Sequence, residues 1–313
     1  MDKLNRREFI EAVAGLGAAL FVGGCGSKEK AAGGPRASIA DRAPRFDAKT
    51  MAIAKGGDPG KITRAAVDAL GGMGKLVKKG DFVVIKPNIA WGRPADAAAT
   101  TNPAVVAELV RMCKEAGAQR VLVIDHIIDR PADGVLGMTG IKAAAEGAGA
   151  EASSAQNESD FRTIEIPKGK LIKTDTCIKE ILKADVFINV PIAKSHSATK
   201  LTLGMKNLMG CNFDRQAWHD SASLDQCIAD YASAIRPDLT ILDANRVLLT
   251  NGPKGPGETK DPKQVIASVD PVAVDAFGAT IFNLKPEDIG YVKLANEMGL
   301  GEIDLKKMTV KSV

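Results

Sequence analysis

Short segments that are apolar at almost every position recur along the chain, and segments with helical patterns separate them. Strands of this kind are typical of a sheet that helices cover on both faces. Five such segments are DFVVIKPNI (81–89), RVLVIDH (120–126), DVFINVPI (185–192), DLTILDAN (238–245) and QVIASVD (264–270). Their alternation with helices predicts an α/β fold, with a doubly wound, largely parallel sheet and helices on both faces.

Helical patterns before, between and after these strands predict six helices: 61–78, 103–116, 179–183, 224–235, 271–282 and 286–298. Pro103 and Pro271 fit the first turn of a helix, and Asn102 and Asp270 directly before them are predicted N-caps. The chain has 313 residues, of which 45% are hydrophobic, so it can bury a core of this size.

Polar and ionisable residues follow four of the predicted strands. Because doubly wound sheets bind ligands beyond the carboxyl ends of their strands, these residues are candidates for one site: Lys86, Asn88, Asp125, His126, Lys194, His196, Asp243 and Asn245. His126 fits equally well as a strand-end histidine outside the site, and Asp243 as a turn residue.

The segment AKSHSATKLTLGMKNLMGC (193–211) gathers cations without acids. It contains Lys194, His196, Lys200 and Lys206, and no Asp or Glu lies anywhere from 186 to 213. Lys200 is interpreted as a solvated surface lysine. The small and apolar residues around Lys206 are poorly explained by solubility, so this lysine is assigned to a functional site.

A short helix is predicted over 201–209 within this segment, with Leu201, Met205 and Leu208 on its buried face. Gly204 would allow close approach of a backbone or ligand, and Gly210 would end the helix in the left-handed conformation. The free N–H groups at the helix N-terminus would add to the positive potential of nearby Lys194 and His196. The segment therefore predicts an anion-binding site.

In this hypothesis Lys194 and Lys206 hold a carboxylate or phosphate, and Asn88 or Asn207 orients it. Either His196 or His219 exchanges a proton near neutral pH. The catalytic candidates are Lys206, His196 and Lys194, and the ligand-binding candidates are Lys86, Asn88, Asn207, Asp125, His219 and Asp243.

Charge and composition argue against nucleic acid as a partner. The net charge is only +4, from 42 basic and 38 acidic residues, and aromatic residues make up 4% of the chain. The glycine- and proline-rich loop TNGPKGPGETKD (250–261) is interpreted either as a lid over the site or as a plain connection.

Cysteine spacing predicts no metal centre. Cys113, Cys177, Cys211 and Cys227 lie 64, 34 and 16 positions apart, without a CxxC pair. Iron–sulfur clusters and structural zinc sites usually draw close pairs or triplets of cysteines. Buried free thiols are the favoured interpretation, with Cys211 set apart because it closes the glycine- and lysine-containing segment, and a disulfide, for example between Cys211 and Cys227, stays open as an alternative.

The N-terminus resembles an export signal. Asn5-Arg6-Arg7-Glu8-Phe9-Ile10 precedes an apolar run and resembles a twin-arginine signal, and Val22-Gly23-Gly24-Cys25 resembles a lipobox. These motifs predict a signal peptide over 1–24, a lipid-carrying Cys25, a flexible tether over 25–47 and a domain over 48–313. The expected partners are the twin-arginine export machinery and the membrane, with the protein anchored to the cell envelope and facing the periplasm or exterior. The alternative is an ordinary amphipathic N-terminal helix.

Five motifs in order resemble the DUF362 family, a domain of unknown function: VVIKPNIAWGRP, TNPAVVAELVRMCKEAGAQRVLVID, AKSH, TLGMKNLMG and SVDPVAVDAFG. The resemblance extends over 49–308. It implies an α/β domain whose Lys-Pro-Asn, Lys-x-His and Lys-Asn-x-x-Gly motifs line a shared site, but it implies no reaction. Some members carry an added ferredoxin-like module, whose cysteine runs this chain lacks.

A second similarity lies in LGMKNLMGCNFDRQAWH (203–219), which looks like the glycine-lysine-glycine-histidine pattern of the lactate racemase family. That family's site binds a small hydroxy acid beside a nickel-pincer cofactor. The paired-histidine loop of that family has no clear counterpart among the three histidines of this chain.

Three functions are therefore compared. The first is an envelope-anchored enzyme, of isomerase or oxidoreductase type, that acts on a small anionic organic molecule. The second is a non-catalytic lipoprotein that binds an anionic solute, and the third is an iron–sulfur or metal-associated electron-transfer protein. The sequence identifies neither a substrate nor a cofactor.

Overall fold

A mixed sheet runs through the centre of the molecule. The structure is a computed structural model that describes residues 39–313. Within this range the strands are β1 Thr50–Lys55, β2 Phe82–Pro87, β3 Arg120–Asp125, β4 Glu151–Ser154, β5 Phe161–Glu165, β6 Thr174–Ile178, β7 Val186–Val190, β8 Ile192–His196, β9 Lys200–Thr202, β10 Leu239–Leu248, β11 Thr259–Lys260, β12 Gln264–Ser268 and β13 Thr309–Ser312. All five strands predicted from the sequence are confirmed.

The α-helices of the same range are α1 Pro59–Leu70, α2 Met73–Leu76, α3 Pro103–Glu115, α4 Ala132–Met138, α5 Ile141–Gly147, α6 Lys179–Lys183, α7 Gly204–Asn207, α8 Gln216–His219, α9 Leu224–Ala234, α10 Pro271–Ile281 and α11 Gly290–Glu297. Short 3₁₀ helices cover Ile39–Asp41, Ala95–Ala97, Glu158–Asp160, Leu208–Cys211, Pro286–Asp288 and Leu305–Lys307. The Asn102 and Asp270 side chains accept hydrogen bonds from Ala104 N and Ala273 N, so both predicted N-caps are confirmed.

Two of the predicted helices are interrupted. The helix predicted over 61–78 ends at Leu70, because Gly71 adopts a left-handed conformation with φ of 119°, and a second helix starts at Met73. The helix predicted over 286–298 begins as a 3₁₀ turn and becomes α-helical only at Gly290.

The strand order is β13-β1-β12-β10-β7-β2-β3-β4, and β5 with β6 forms a separate hairpin. Strands β10, β7, β2, β3 and β4 are mutually parallel, whereas β12 is antiparallel to both β1 and β10. The predicted α/β fold with a largely parallel sheet is therefore confirmed. Within the described residues of this sheet, three strands pair in antiparallel fashion: β12 within this order, and the short β9 and β11 beside it.

Helices cover both faces of the sheet. Val83 and Ile85 of β2 point into one apolar core, which α1, α3 and α5 complete, and Val84 points into a second core with α9, α10 and α11. The chain moves outward from β2 through β3 to β4, and then returns to place β7 on the other side of β2. Strand order therefore reverses between β2 and β7, which is where doubly wound folds bind ligands.

The compact unit begins before residue 48. Ile39 and Phe46 are buried, and Arg42 lies 3.1 Å from the Asp238 carboxylate. These residues of the segment predicted as a tether thus pack on the domain. The twin-arginine motif, the lipobox and Cys25 lie outside the described residues.

The four cysteines in the described range are buried and free, as predicted from the sequence. Between residues 39 and 313, every helix is too short or too polar to cross a bilayer.

Candidate active site

A cavity of about 580 Å³ opens at the carboxyl ends of β2, β3 and β7, at the point where strand order reverses. Its size is that of a small-molecule site. Eight of the nine candidate residues line it: Lys86, Asn88, Asp125, Lys194, His196, Lys206, Asn207 and His219. The connections after separate strands therefore bring these side chains together.

A buried ion pair forms the floor of the cavity. Lys86 Nζ lies 2.8 Å from Asp125 Oδ1, and the two side chains are 1% and 3% exposed. The amides of Ile89 and His126 also donate to the Asp125 carboxylate. A Cβ on Gly210 would lie 2.5 Å from Asp125 Oδ1, so glycine is needed for this close approach. The negative charge of Asp125 is therefore already balanced within the protein.

Three asparagines link the floor to the wall of the cavity. Asn207 Oδ1 accepts from Asn88 Nδ2 at 2.9 Å and from Lys86 Nζ at 3.3 Å, while Asn207 Nδ2 donates to Asn189 Oδ1 at 2.8 Å. Asn189 in turn donates to Gly204 O. Because each amide is fixed by its partners, the network orients the lysines that contact it.

Lys194 is fully buried and held by oxygen acceptors. Its Nζ donates to Ala99 O at 2.6 Å and to Asn88 Oδ1 at 3.1 Å. Burial, followed by the positive charge of Lys206, lowers the pKa of Lys194 to about 7. One of its three N–H donors remains for a ligand.

Lys206 lies at the end of α7 and is 7% exposed. The hydrogen-bond partner of its Nζ is Met209 Sδ, at 2.9 Å. Burial and then the charge of Arg215 lower the pKa of Lys206 to about 7. Near neutral pH this side chain is present both as an ammonium and as a free amine.

The two histidines of the cavity lie with nearly parallel rings, at a centroid distance of 6.4 Å. Ala198 N donates to His196 Nδ1, so the neutral ring carries its proton on Nε2. Burial, then Lys206 and Lys194, lower the pKa of His196 to about 3, and burial lowers the pKa of His219 as well. His196 is therefore neutral at physiological pH, so the predicted proton exchange near neutral pH is wrong for His196, because burial and the two lysines disfavour its charged form.

Thr202 adds a hydroxyl that sequence reasoning missed. It lines the cavity and is 4% exposed, and its Oγ1 has no hydrogen-bond partner among residues 39–313. Buried hydroxyl groups normally form a hydrogen bond. A hydroxyl without one in a cavity wall is therefore a candidate for a hydrogen bond to a ligand.

Sequence reasoning also missed the rim of the cavity, which combines two arginines with apolar side chains: Trp91, Ile128, Arg130, Phe213, Arg215 and Pro253. Arg215 donates to His126 O at 2.7 Å. In the sequence, the only indication of a role for Arg215 is its position just after 186–213, the range without Asp or Glu. The rim gives the cavity an apolar side above its buried lysines.

The loop over 250–261 lies beside this rim. Gly252 N donates to Ser195 Oγ, and a Cβ on Gly252 would lie 1.8 Å from Ser195 O. Lys254 Nζ lies 3.1 Å from Asp129 Oδ1 and 5.2 Å from the centre of the Trp91 ring. The loop is therefore packed against the cavity mouth.

Asp243 does not line the cavity. It is 1% exposed and accepts hydrogen bonds from Asn102 N, Asn245 N and Asn245 Nδ2. These bonds join β10 to the start of α3, so the role of Asp243 is structural.

The predicted helix over 201–209 was wrong in its start and its end. Leu201 lies on β9, α7 begins at Gly204, and Gly210 continues a 3₁₀ turn. The first amides of α7 donate to the Asp275 carboxylate, at 2.6 Å for Gly204 N and 2.9 Å for Met205 N. The predicted anion site at this N-terminus is therefore filled by Asp275. Lys200 is exposed, in line with its interpretation as a surface lysine.

Residues 83–280 match the family model described as a domain of unknown function, DUF362, which covers more than half of the chain. The chain belongs to the DUF362 family. All eight cavity-lining candidates lie within the matched range of this DUF362 protein.

Two known proteins are similar to this DUF362 chain. The thylakoid-associated protein sll1697 of Synechocystis sp. (strain ATCC 27184 / PCC 6803 / Kazusa) is 32% identical over 258 residues, which cover 76% of this chain and 74% of that protein. The lactate racemase apoprotein from Thermoanaerobacterium thermosaccharolyticum matches with a TM-score of 0.42 and 12% identity, over 71% of this chain and 56% of that structure. The DUF362 chain thus spans little more than half the length of that racemase.

Metal-ligand chemistry finds little support in the described part of this DUF362 protein. No group of three His, Cys, Asp or Glu side chains between residues 39 and 313 could hold a metal ion. Burial raises the pKa of Cys113 and Cys177 to about 12 and that of Cys211 well above its usual value. The thiol is therefore the favoured form of these cysteines in the ligand-free protein.

Proposed function

We propose that this DUF362 protein is an enzyme that binds a small anionic organic molecule in the cavity between β2 and β7. One observation carries the proposal. Lys194 and Lys206 are both buried in the cavity wall, and neither forms a salt bridge with any described residue. Burying a cation without a counter-ion is costly, and an anionic ligand supplies the missing charge.

The surroundings of the two lysines support an organic ligand with an apolar part. Asp125 in the floor is balanced by Lys86, so the charges that remain for a ligand are those of Lys194 and Lys206 in the wall. The rim contributes Trp91, Ile128 and Phe213. A carboxylate or phosphate held by the two lysines would therefore place the rest of the molecule against apolar side chains.

The presence of a proton acceptor in the cavity supports a catalysed reaction of isomerase type over binding without catalysis. The Lys206 amine titrates near neutral pH and can accept a proton. The neutral ring of His196 can donate a hydrogen bond from Nε2 to an oxygen on which negative charge develops. A base and such a donor beside one bound anion are what proton abstraction next to a carbonyl or carboxylate requires.

Anion binding at pH 8 is expected to take up protons. At that pH Lys194 and Lys206 are mostly neutral, because the pKa of each is lowered to about 7, and a bound anion restores their charge. Titration calorimetry with pyruvate and L-lactate, in two buffers of different ionisation enthalpy, should give an uptake of about one to two protons per anion. Lys194→Met should weaken binding at least about 30-fold, the cost of about 2 kcal/mol for a charged hydrogen bond.

Lys200→Met is the matched control, since Lys200 is an exposed lysine in the same segment, and it should leave affinity and proton uptake unchanged. Binding without proton uptake, or no binding of either anion, would contradict the proposed role of the two lysines.

We further propose that the protein is exported by the twin-arginine route and anchored to the envelope through a lipidated Cys25. The motifs at Arg6, Arg7 and Cys25 support this, and the thylakoid-associated name of one relative is consistent with membrane attachment. Cys25→Ser should move the protein from the membrane fraction to the soluble fraction, while Arg6→Lys with Arg7→Lys should retain it in the cytoplasm. Continued membrane association of the Cys25→Ser variant would rule out this anchor.

A further inference from the structure

The three lysines of the cavity differ in what their side-chain nitrogens contact. Lys86 Nζ is paired with Asp125 and also bonds to Pro87 O, and Lys194 Nζ bonds to two oxygens. Lys206 Nζ has the thioether of Met209 as its hydrogen-bond partner. Sulfur is a weak acceptor, so little in the protein favours the ammonium form of Lys206.

We propose that Lys206 is a nucleophile that condenses with the carbonyl group of a 2-oxo carboxylate to form an imine, while Lys194 holds the carboxylate. This inference rests on the proposed function, because the same cavity must first bind the anion. The geometry divides the roles. Lys194 has oxygen acceptors that favour its charged form and one free donor, whereas Lys206 has a lone pair available when neutral.

The lowered pKa of Lys206 fits the role of nucleophile, because a neutral amine is required for attack on a carbonyl. The pKa of Lys194 is lowered as much, so the division between the two lysines rests on their hydrogen-bond partners. The charges that face Lys206 are Arg215, which lowers its pKa further, and Asp225, which opposes that shift. Asp225 lies on α9 and forms no salt bridge with Lys206. Burial and the positive charge of Arg215 therefore both disfavour the ammonium form of Lys206.

The condensation is balanced without an oxidant or reductant. The Lys206 Nζ lone pair attacks the carbonyl carbon and forms a C–N bond, and the carbonyl oxygen becomes the hydroxyl of a carbinolamine. That C–O bond then breaks, and the oxygen leaves as water with the two hydrogens of the original amine. One amine and one carbonyl thus give one imine and one water.

Thr202 provides a hydrogen-bonding group for the oxygen that must leave. Its buried Oγ1 has no partner among residues 39–313, and it lines the same cavity as Lys206. A hydroxyl both donates and accepts, so it can contact the carbonyl oxygen first and the carbinolamine hydroxyl afterwards. Imine formation also makes the neighbouring C–H more acidic.

Reductive trapping tests the proposal. The full-length protein is incubated at pH 7.5 with pyruvate or phenylpyruvate and cyanoborohydride, which reduces an imine to a stable secondary amine. Peptide mapping by mass spectrometry should find one reduced adduct per chain, on Lys206. Lys206→Arg keeps the cation but removes the nucleophile and should abolish the adduct, whereas Lys200→Arg should retain it. Equal labelling of Lys206 and exposed lysines would overturn the inference.

Uncharged propanal separates this inference from the proposed function. Lys194→Met should reduce trapping of pyruvate at least about tenfold and leave trapping of propanal at Lys206 unchanged. If propanal labels Lys206 but Lys194→Met does not affect pyruvate, the anion site is wrong and the nucleophile stands. If pyruvate binds with proton uptake yet Lys206 stays unlabelled, the nucleophile is wrong and the anion site stands. Melting curves of each variant show that it is folded.

Discussion

Replacing Asp125 by alanine is expected to lower the free energy of unfolding by about 3–5 kcal/mol, because it leaves the Lys86 ammonium buried without a counter-ion. Both partners are almost inaccessible to water, with side chains 1% and 3% exposed. The amides of Ile89 and His126 would also lose their acceptor. Urea denaturation at pH 7, followed by circular dichroism, measures the change.

Glu151→Ala is the matched control. Glu151 pairs with Arg120 at 2.7 Å, but the side chains are 60% and 41% exposed, so the loss should stay under about 1 kcal/mol. Removing both buried charges, with Lys86→Met and Asp125→Leu together, should cost less than Asp125→Ala alone. Equal effects of Asp125→Ala and Glu151→Ala would mean that water reaches the floor of the cavity.

The ligand-free protein is expected to become more stable as the pH rises from 7 to 8.5. The pKa of Lys194 and of Lys206 is about 7 in the folded chain and about 10.5 in the unfolded chain. Between these values the unfolded chain binds more protons, so raising the pH favours the folded state. The two lysines together should add roughly 3 kcal/mol to the free energy of unfolding over this range.

The double variant Lys194→Met with Lys206→Met provides the reference curve, because it keeps the cysteines, and the pKa of His196, which depends on both lysines, lies far below this pH range. The charges that set the two pKa values are Lys86, Asp125, Arg215 and Asp225 together with the lysines themselves, and all four are retained in this variant. A wild-type curve parallel to that of the double variant would show that the two lysines have ordinary pKa values. Adding a bound anion should remove the pH dependence, since it stabilises the charged lysines.

These two predictions describe one property of the cavity. Its floor is rigid because Lys86 and Asp125 are paired, and its wall is destabilised because Lys194 and Lys206 are not. An anionic ligand would pair with the two lysines and thereby stabilise the folded protein. Ligand affinity and the free energy of unfolding therefore both depend on the charges of Lys194 and Lys206.

Much of the fold was predictable because its signals are local. An apolar run such as 185–192 indicates a strand buried on both faces, and Asn102 followed by Pro103 indicates the start of a helix. Strand direction is not encoded locally. The run over 264–270 was correctly predicted as a strand, but only its pairing with β1 and β10 made it antiparallel.

Much of the candidate site was predictable for a topological reason. Lys86, Asp125 and Lys194 lie at or just after strands, and parallel strands bring their carboxyl ends to one edge of the sheet. The same rule included Asp243 wrongly. Asp243 lies in the middle of β10, which continues to Leu248, and its carboxylate accepts from the start of α3 instead of facing the cavity.

The sequence by itself determined the alternation of strands and helices, the family motifs and the group of cations without acids around Lys206. Only the tertiary structure decided which charges are paired. Asp275 lies 71 positions from Gly204 and takes the helix N-terminus predicted for a ligand, and Asp125 lies 39 positions from Lys86 and neutralises it. Pairing depends on distances of a few ångströms between residues far apart in the chain, and no local pattern of residues encodes such distances.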